Sequence, residues 1–213
     1  MENEQNFEVL KPKDTTKDIE IVKHKEKEEI PTYFTDQELN KFFTAIPPER
    51  TRDKVFFLTL LGTGRRVSEI LKIRKNDINL ESRRLRIATL KKRKKVTENI
   101  RLHQDVAYWL SIYIGSLKAD DKVFNFTRQY ADELIKNYAQ VAGIDYKRTS
   151  CHIFRHTFAV RWLEQGKPIH KLRRHLGHSH IQTTMVYLKI VDQDYDNTVD
   201  GLNILSFLKT DTP

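Results

Sequence analysis

The sequence predicts a mainly helical α+β fold with one small antiparallel hairpin. Glycine and proline are few, 7 and 6 among 213 residues, so helices can run without interruption. Most apolar residues recur at helical spacing, whereas residues 85–88 and 99–102 alternate with the two-residue period of strands. These observations together indicate a helical body that carries a single hairpin.

The first part of the chain gives clear signals for where helices begin and end. Thr35 and Glu38 form a capping box that opens one helix, and the prolines at 47–48 end it. Residues 52–61 are mostly apolar, so we expect a second helix that is buried on most sides. The Gly-Thr-Gly at 62–64 breaks this helix, and a further helix follows.

The part after the hairpin is helical. Periodicity and glycine stops predict four helices, over 105–117, through 134–141, over 152–165 and over 169–176. Gly177 ends the last of them, with His178 beside it. Ser179 is positioned to cap a final short helix that carries Tyr187.

The net charge of +9 is unevenly distributed. Residues 31–190 carry +16, whereas residues 1–30 carry −3 and residues 191–213 carry −4. Positive charge concentrated on one domain is typical of a protein that binds a polyanion. Nucleic acid is favoured over a membrane surface, because no helix sets a bulky apolar face opposite its lysines.

These boundaries predict three parts. Residues 1–30 form a flexible charged arm, which either stays solvated or becomes ordered on a partner. Residues 31–190 form the folded domain, and residues 191–213 form an acidic tail. The tail contains an apolar segment, 202–208, that either docks on a neighbouring protomer or folds back on its own domain.

The cellular setting is indicated by cysteine usage and hydropathy. Cys151 is the only cysteine, which excludes a disulfide framework and fits a reducing compartment. No run of 18 apolar residues occurs and the N-terminus is charged, so we expect no membrane span and no signal peptide. We therefore expect a cytoplasmic protein, associated with the nucleoid.

Arg66 is the first candidate for binding a phosphate. It follows the glycine-rich break at 62–64 and opens a helix, so its guanidinium group and nearby backbone N–H groups are directed toward one place. A guanidinium group binds two phosphate oxygens at once and keeps its charge. Glu69 lies on the same helical face and can hold Arg66 still, although an ordinary intrahelical ion pair is the alternative.

A second candidate group lies on the helix over 152–165. His152 and Arg155 project together, with His156 beside them. The two histidines have the i, i+4 spacing of a zinc-binding helix, but Ile153 stands where a hydrolytic zinc site needs glutamate. The lack of cysteine or carboxylate partners also argues against a metal at a second group of histidines, His175, His178 and His180.

The hairpin region 83–95 has eight basic residues in thirteen. Most of them are expected to contact DNA phosphates, which gives affinity without reading sequence. One lysine at the tip can protonate a departing 5′ oxygen, because an alkoxide is a poor leaving group. Lys91 is our assignment for that role and Lys92 is the alternative. The predicted DNA-contacting residues are Arg65, Lys92, Arg93, Lys94, Lys95, Arg173 and Arg174.

Three motifs occur in series along the chain. They are GTGRRVSE at 62–69, HIFRH at 152–156, and LGH at 176–178 followed by Tyr187. In this order and spacing they resemble the catalytic domain of the tyrosine recombinases, the phage-integrase and Xer-type family. The resemblance covers about residues 33–190, nearly the whole folded domain.

The resemblance implies an enzyme that cuts and rejoins double-stranded DNA through a 3′-phosphotyrosine link, without metal or other cofactor. It also implies a homo-oligomer, dimer to tetramer, on DNA. The implied catalytic residues are Arg66, Lys91, His152, Arg155, His178 and the nucleophile Tyr187, with Glu69 orienting the first arginine.

Each implied residue has a role. Arg66, Arg155 and His178 would hold and neutralise the oxygens of the scissile phosphate. His152 would help to take the proton of Tyr187, which would attack the phosphorus.

Other functions remain open from the sequence. Members of the family usually carry a separate N-terminal helical domain that clamps DNA, whereas here a charged segment of only about thirty residues stands before this domain. The main hypothesis is site-specific recombination that integrates, excises or resolves a mobile or chromosomal element. The alternatives are a DNA-binding accessory protein without strand exchange, and a nuclease or relaxing topoisomerase that shares the chemistry.

Overall fold

The computed structural model describes residues 31–91 and 94–191, and their fold is mainly helical around one small sheet. The helices are α1 (Asp36–Thr44), α2 (Thr51–Thr63), α3 (Val67–Ile70), α4 (Gln104–Ile114), α5 (Arg128–Val141), α6 (His152–Glu164), α7 (Ile169–Leu176), α8 (Gln182–Met185) and α9 (Leu188–Val191). The strands are β1 (Ile78–Asn79), β2 (Arg84–Lys91) and β3 (Lys94–Arg101). The predicted α+β class is confirmed.

Some predictions fall outside this range. The arm over 1–30, the apolar segment 202–208 and the tip residues Lys92 and Arg93 lie outside the described residues. Among the residues that are described, no helix is long and apolar enough to span a membrane.

The start of the domain is fixed by the capping box. Thr35 accepts a hydrogen bond from the Glu38 backbone, and the Glu38 carboxylate accepts one from the Thr35 backbone at 2.8 Å, as predicted. One residue earlier, the Phe34 backbone N–H donates to Thr157 Oγ1 of α6 at 2.9 Å. The first helix is therefore tied to α6, which carries the HIFRH motif.

An aromatic cluster sets α6 beside α2. Phe34, Phe42, Phe57 and Phe154 have centroid separations of 5.1 to 5.5 Å, and each is at most 2% exposed. Burying aromatic rings of this size is among the largest contributions to a core. Because Phe154 points into the cluster, the next residue, Arg155, is placed against the loop that follows α2.

The hairpin is longer and its turn shorter than predicted. β2 and β3 pair without interruption from Arg84↔Arg101 to Lys91↔Lys94, so only residues 92–93 connect them. The strand patterns over 85–88 and 99–102 therefore predicted too short a hairpin. Main-chain ladder bonds do not depend on side-chain charge, and β-branched Thr89 and Val96 pair across the strands.

The last part of the described chain also departs from expectation. Gly177 ends α7 in the left-handed conformation with φ 68°, as predicted. Ser179 does not cap the next helix, because α8 begins after Ile181 and lasts one turn. Tyr187 lies between α8 and α9 rather than within one helix. The β-branched residues at 183, 184 and 186 have low helix propensity, which accounts for the break.

Candidate active site

The guanidinium group of Arg155 joins three segments of the chain. Arg155 is 4% exposed on α6. Its Nη1 donates to the Gly64 carbonyl at 3.0 Å, and its Nη2 donates to the Leu176 carbonyl at 2.6 Å and to His178 Nε2 at 3.0 Å. The loop after α2 and the corner after α7 therefore meet at one side chain.

The loop after α2 is held from both sides. Gly64 has φ 60°, and a Cβ there would lie 2.5 Å from the ring of Phe158. His175 of α7 stacks on that ring at 5.0 Å and hydrogen-bonds the Thr63 carbonyl at 2.7 Å. Since a carbonyl only accepts, His175 Nε2 carries the proton. This packing requires glycine at position 64 and fixes where Arg66 begins α3.

Glu69 restrains Arg66 at two points. Its carboxylate accepts from the Arg66 backbone N–H at 3.0 Å and lies 3.6 Å from Arg66 Nη1. The Arg66 side chain nevertheless stays 42% exposed, so its guanidinium group can meet an external anion. The predicted pairing of these two residues is confirmed, and the catalytic role of Arg66 stays a prediction.

Arg66 and Arg155 form an electropositive site. Burial, followed by the charge of Arg66, lowers the pKa of Arg155 to about 10. The two guanidinium groups are close enough to affect each other. Their positive charges are not fully balanced by carboxylate partners. Such a place favours an anion, and a phosphodiester is an anion that two guanidinium forks can share.

His178 is neutral in this arrangement. Since arginine can only donate, His178 Nε2 accepts from Arg155, and Nδ1–H donates to Thr184 Oγ1 at 2.9 Å. Burial, then Arg155 and Arg66, lower the pKa of His178 to about 4. In this arrangement His178 therefore offers a phosphate neither a positive charge nor a free N–H at neutral pH, and its contact with a phosphate stays a prediction.

Tyr187 is brought to α6. It is 3% exposed and packs in an apolar cluster, and its hydroxyl lies 2.8 Å from His156 Nδ1. The cluster contains residues of α6 and α7, namely Ala159, Val160, Leu163, Leu172 and Leu176. The structure thus places the phenol beside the HIFRH motif, as its predicted role requires.

The histidine that contacts Tyr187 is not the one expected. His152 lies one turn before His156 on α6, and no described residue other than His156 hydrogen-bonds the Tyr187 hydroxyl. Helical spacing alone grouped His152 with Arg155. The position of His156 next to Arg155 was the one sequence feature that pointed to it as the partner of Tyr187. The break before α9, which orients the Tyr187 side chain toward His156, could not be predicted from the sequence.

The DNA contact predicted for Arg65 does not fit the structure. Arg65 is 3% exposed, and its Nη1 lies 2.9 Å from Glu98 Oε2 on β3. The turn at Gly64 directs this side chain under the hairpin, so it links the arginine loop to β3 instead of reaching solvent.

The remaining predicted contacts divide into two groups. Arg174 is exposed on α7, and Arg173 is half-buried with a long contact of 3.5 Å to the Ser179 carbonyl, so both stay available to an anion. The side chains of five hairpin residues lie outside what the structure describes, and their roles stay predictions: Lys91, Lys92, Arg93, Lys94 and Lys95.

Two of the three histidines considered as metal ligands have other partners. His175 binds a backbone carbonyl, and His178 binds Arg155 and Thr184. Within residues 31–91 and 94–191, no three histidine, cysteine or carboxylate groups are arranged to hold a metal ion.

Solved structures define the class of fold. The chain resembles the crystal structure of XerA recombinase, with a TM-score of 0.65 and 22% identity over 86% of this chain and 67% of that one. It also resembles the catalytic domain of bacteriophage HP1 integrase, with a TM-score of 0.63 and 22% identity over 82% of this chain and 96% of that one. The fold is that of a tyrosine-recombinase catalytic domain.

Sequence comparison gives the family. Residues 32–194 match the phage integrase family. XerA of Thermococcus onnurineus (strain NA1) is 32% identical over 172 residues, covering 76% of this chain and 59% of that protein. XerA of Pyrococcus furiosus is 30% identical over 190 residues, covering 84% and 64%. The chain belongs to the phage integrase family and spans about three fifths of the length of these relatives.

Proposed function

We propose that residues 31–190 are the catalytic domain of a site-specific recombinase that cuts and rejoins double-stranded DNA through Tyr187. One observation carries the proposal. The guanidinium group of Arg155, on α6, hydrogen-bonds both the loop that precedes Arg66 and the corner that contains His178. Tyr187 contacts the same helix through His156. Positive charge, hydrogen-bond donors and a nucleophile are what an attack on a phosphodiester needs.

The substrate class is supported by the structural relatives. XerH was solved bound to a palindromic difH substrate, and the Tn1549 transposon integrase was solved with transposon right end DNA. The net charge of +16 on residues 31–190 favours the same polyanion for this chain. Because exchange joins strands from two cut sites, we propose a homo-oligomer on DNA, acting on the nucleoid in the cytoplasm.

The geometry suggests how the residues share the work. Arg66 and Arg155 hold the charge of the scissile phosphate, and His178 keeps Arg155 in place by accepting one of its hydrogen bonds. The Tyr187 oxygen bonds to phosphorus as the P–O5′ bond breaks, and Lys91 gives a proton to the departing oxygen.

The bond energy stays in the 3′-phosphotyrosine link. The 5′ hydroxyl of a partner strand can therefore reverse the reaction on a new strand. No nucleotide is needed as an energy source.

The proposal is tested by covalent capture. The chain is incubated with a library of nicked duplexes of randomised sequence, and DNA that stays attached to protein in SDS is sequenced. We expect enriched inverted-repeat sites with the wild-type chain and no attached DNA with Tyr187→Phe.

Other outcomes identify other functions. DNA retained on the folded chain without any covalent product would show a binding protein without strand exchange. Relaxation of supercoiled plasmid without recombinant product would show a topoisomerase.

A further inference from the structure

The hydroxyl group of Tyr187 has a specific partner on α6. Its oxygen lies 2.8 Å from His156 Nδ1, and the ring centroids are 5.8 Å apart with a 44° tilt. The apolar cluster of α6 and α7 encloses the rest of the phenol ring, which leaves Tyr187 3% exposed. The nucleophile is therefore held by packing on its ring and by a hydrogen bond at its reactive atom.

The surroundings of both groups keep them neutral. Burial raises the pKa of Tyr187, so the phenol keeps its proton at neutral pH. Burial, followed by His152 and Arg155, lowers the pKa of His156 to about 4, so the imidazole is neutral. Two neutral groups allow the phenol to donate to the lone pair of His156 Nδ1, which requires the tautomer with the imidazole proton on Nε2.

His152 stands in a different environment. It is half-buried, and burial, followed by the charges of Arg128 and Arg155, lowers its pKa, whereas Asp132 of α5 acts in the opposite direction. In the part of the chain that the structure describes, the Tyr187 hydroxyl forms a hydrogen bond with His156 and none with His152. Geometry thus separates two histidines that helical spacing groups together.

Building on the proposed recombinase function, we propose that His156, rather than His152, takes the phenolic proton of Tyr187. During cleavage the O–H bond of Tyr187 breaks, the proton bonds to His156 Nδ1, and the oxygen bonds to phosphorus. The P–O5′ bond breaks, and the departing oxygen takes a proton from Lys91. Rejoining reverses each transfer, with His156 returning its proton to Tyr187.

The substrate itself makes His156 a better base. His152 and Arg155 on α6, and His178 and Tyr187 from the segment after α7, are the titratable groups around it. Burial and the positive charge of Arg155 oppose protonation of His156, and so does positive charge on His152 whenever that residue is protonated. A phosphate bound by Arg155 offsets part of that repulsion with a negative charge, so deprotonation of Tyr187 is coupled to DNA binding.

The hydrogen bond is tested in the free chain by nitrogen-15 NMR of histidine-labelled protein. At pH 7 we expect His156 to have a protonated Nε2 and a bare Nδ1, with the Nδ1 resonance moving in Tyr187→Phe. A protonated Nδ1, or a resonance unchanged in Tyr187→Phe, overturns the inference whatever the chain does to DNA.

The proton transfer is tested in single-turnover cleavage of the nicked duplex recovered by covalent capture. His156→Asn keeps an acceptor oxygen near the Nδ1 position but cannot take up the proton. We expect it to slow cleavage about 100-fold, with unchanged DNA affinity and without the acidic limb of the pH–rate profile. His152→Asn keeps that limb, and His170→Asn, at an exposed position on α7, leaves rate and profile as in the wild-type chain.

The two proposals fail in different ways. A wild-type rate in His156→Asn, or loss of the acidic limb only in His152→Asn, overturns this inference and leaves the recombinase function standing. Absence of any adduct with the wild-type chain overturns the recombinase function, and this inference with it.

Discussion

At the residue scale, Arg155 is the side chain on which the site depends most. Its planar fork makes three hydrogen bonds to groups on two other segments. A lysine ammonium cannot reproduce that fixed geometry. We therefore expect Arg155→Lys to slow single-turnover cleavage by about 100-fold or more, the scale of losing one oxyanion donor.

The control for this variant is Arg174→Lys. Arg174 is exposed on α7, so the same chemical change there removes no described contact. It should cleave at the wild-type rate when DNA is saturating. Equal losses of cleavage rate in the two variants would show that the hydrogen bonds of Arg155 make no specific contribution to cleavage.

Gly64 offers a test of the loop that positions Arg66. Gly64→Ala meets both a positive φ and a Cβ position 2.5 Å from the Phe158 ring. Gly143 has a similar φ of 68°, but nothing lies within 4 Å of its Cβ position. Gly143→Ala should cost about 1 kcal/mol in the free energy of unfolding, the scale of left-handed strain alone.

Gly64→Ala should cost clearly more, about 2 to 4 kcal/mol, because overpacking adds to strain. Denaturant unfolding of both variants measures the difference. Equal costs would mean that the Phe158 contact does not constrain the loop.

At the element scale, α6 and α7 enclose neutral histidines whose protonation opposes folding. Burial is the main reason why the pKa values of His156, His175 and His178 are lowered. The pKa is about 4 for His156 and about 4 for His178. The unfolded chain, with histidine pKa values of about 6.5, binds more protons than the folded chain between those limits. Stability is therefore full above about pH 6.5 and falls progressively toward about pH 4.

Thermal unfolding across this range checks the sign. We expect the melting temperature to fall from pH 7.5 to pH 5.0, and to fall less in His156→Asn because one proton-linked group is gone. A melting temperature that rises on acidification would contradict neutral, buried histidines.

The same scale shows what the sequence could and could not predict. The cap at Thr35, the stop at Gly177 and the buried α2 follow from local rules and were correct. The predicted length of the hairpin was wrong, because strand pairing depends on the partner strand and not on local turn residues.

Among the site residues, spacing identified those on one helix but not contacts between segments. The motifs grouped Arg66 with Glu69 and His152 with Arg155 by helical period. The burial of Arg65 against Glu98 and the contact of His156 with Tyr187 depend on how β3 and α9 pack on distant segments. No local pattern in the sequence carries that information.

At the scale of the whole molecule, charge is the dominant property. The +16 on residues 31–190 predicts DNA binding that weakens steeply as salt increases. If Arg174 contacts a phosphate as proposed, Arg174→Gln should make the salt dependence shallower by about 0.9 in log–log slope.

Lys136→Gln is the matched control for this measurement. Lys136 is exposed on α5 and is not among the predicted contacts, so its loss changes net charge equally without removing a proposed contact. Fluorescence anisotropy over a range of salt concentrations measures both slopes. Identical slopes for the two variants would show that Arg174 is not part of the DNA-binding surface.

The proposed reaction requires that Tyr187 becomes joined to the 3′ end of a cut strand. Mass spectrometry of the proteolysed adduct from a nicked duplex tests it most directly. We expect a nucleotide phosphate on the peptide that contains Tyr187, joined through the 3′ oxygen, with a free 5′ hydroxyl on the released strand. A modified peptide from elsewhere in the chain, or a link through a 5′ phosphate, would contradict it.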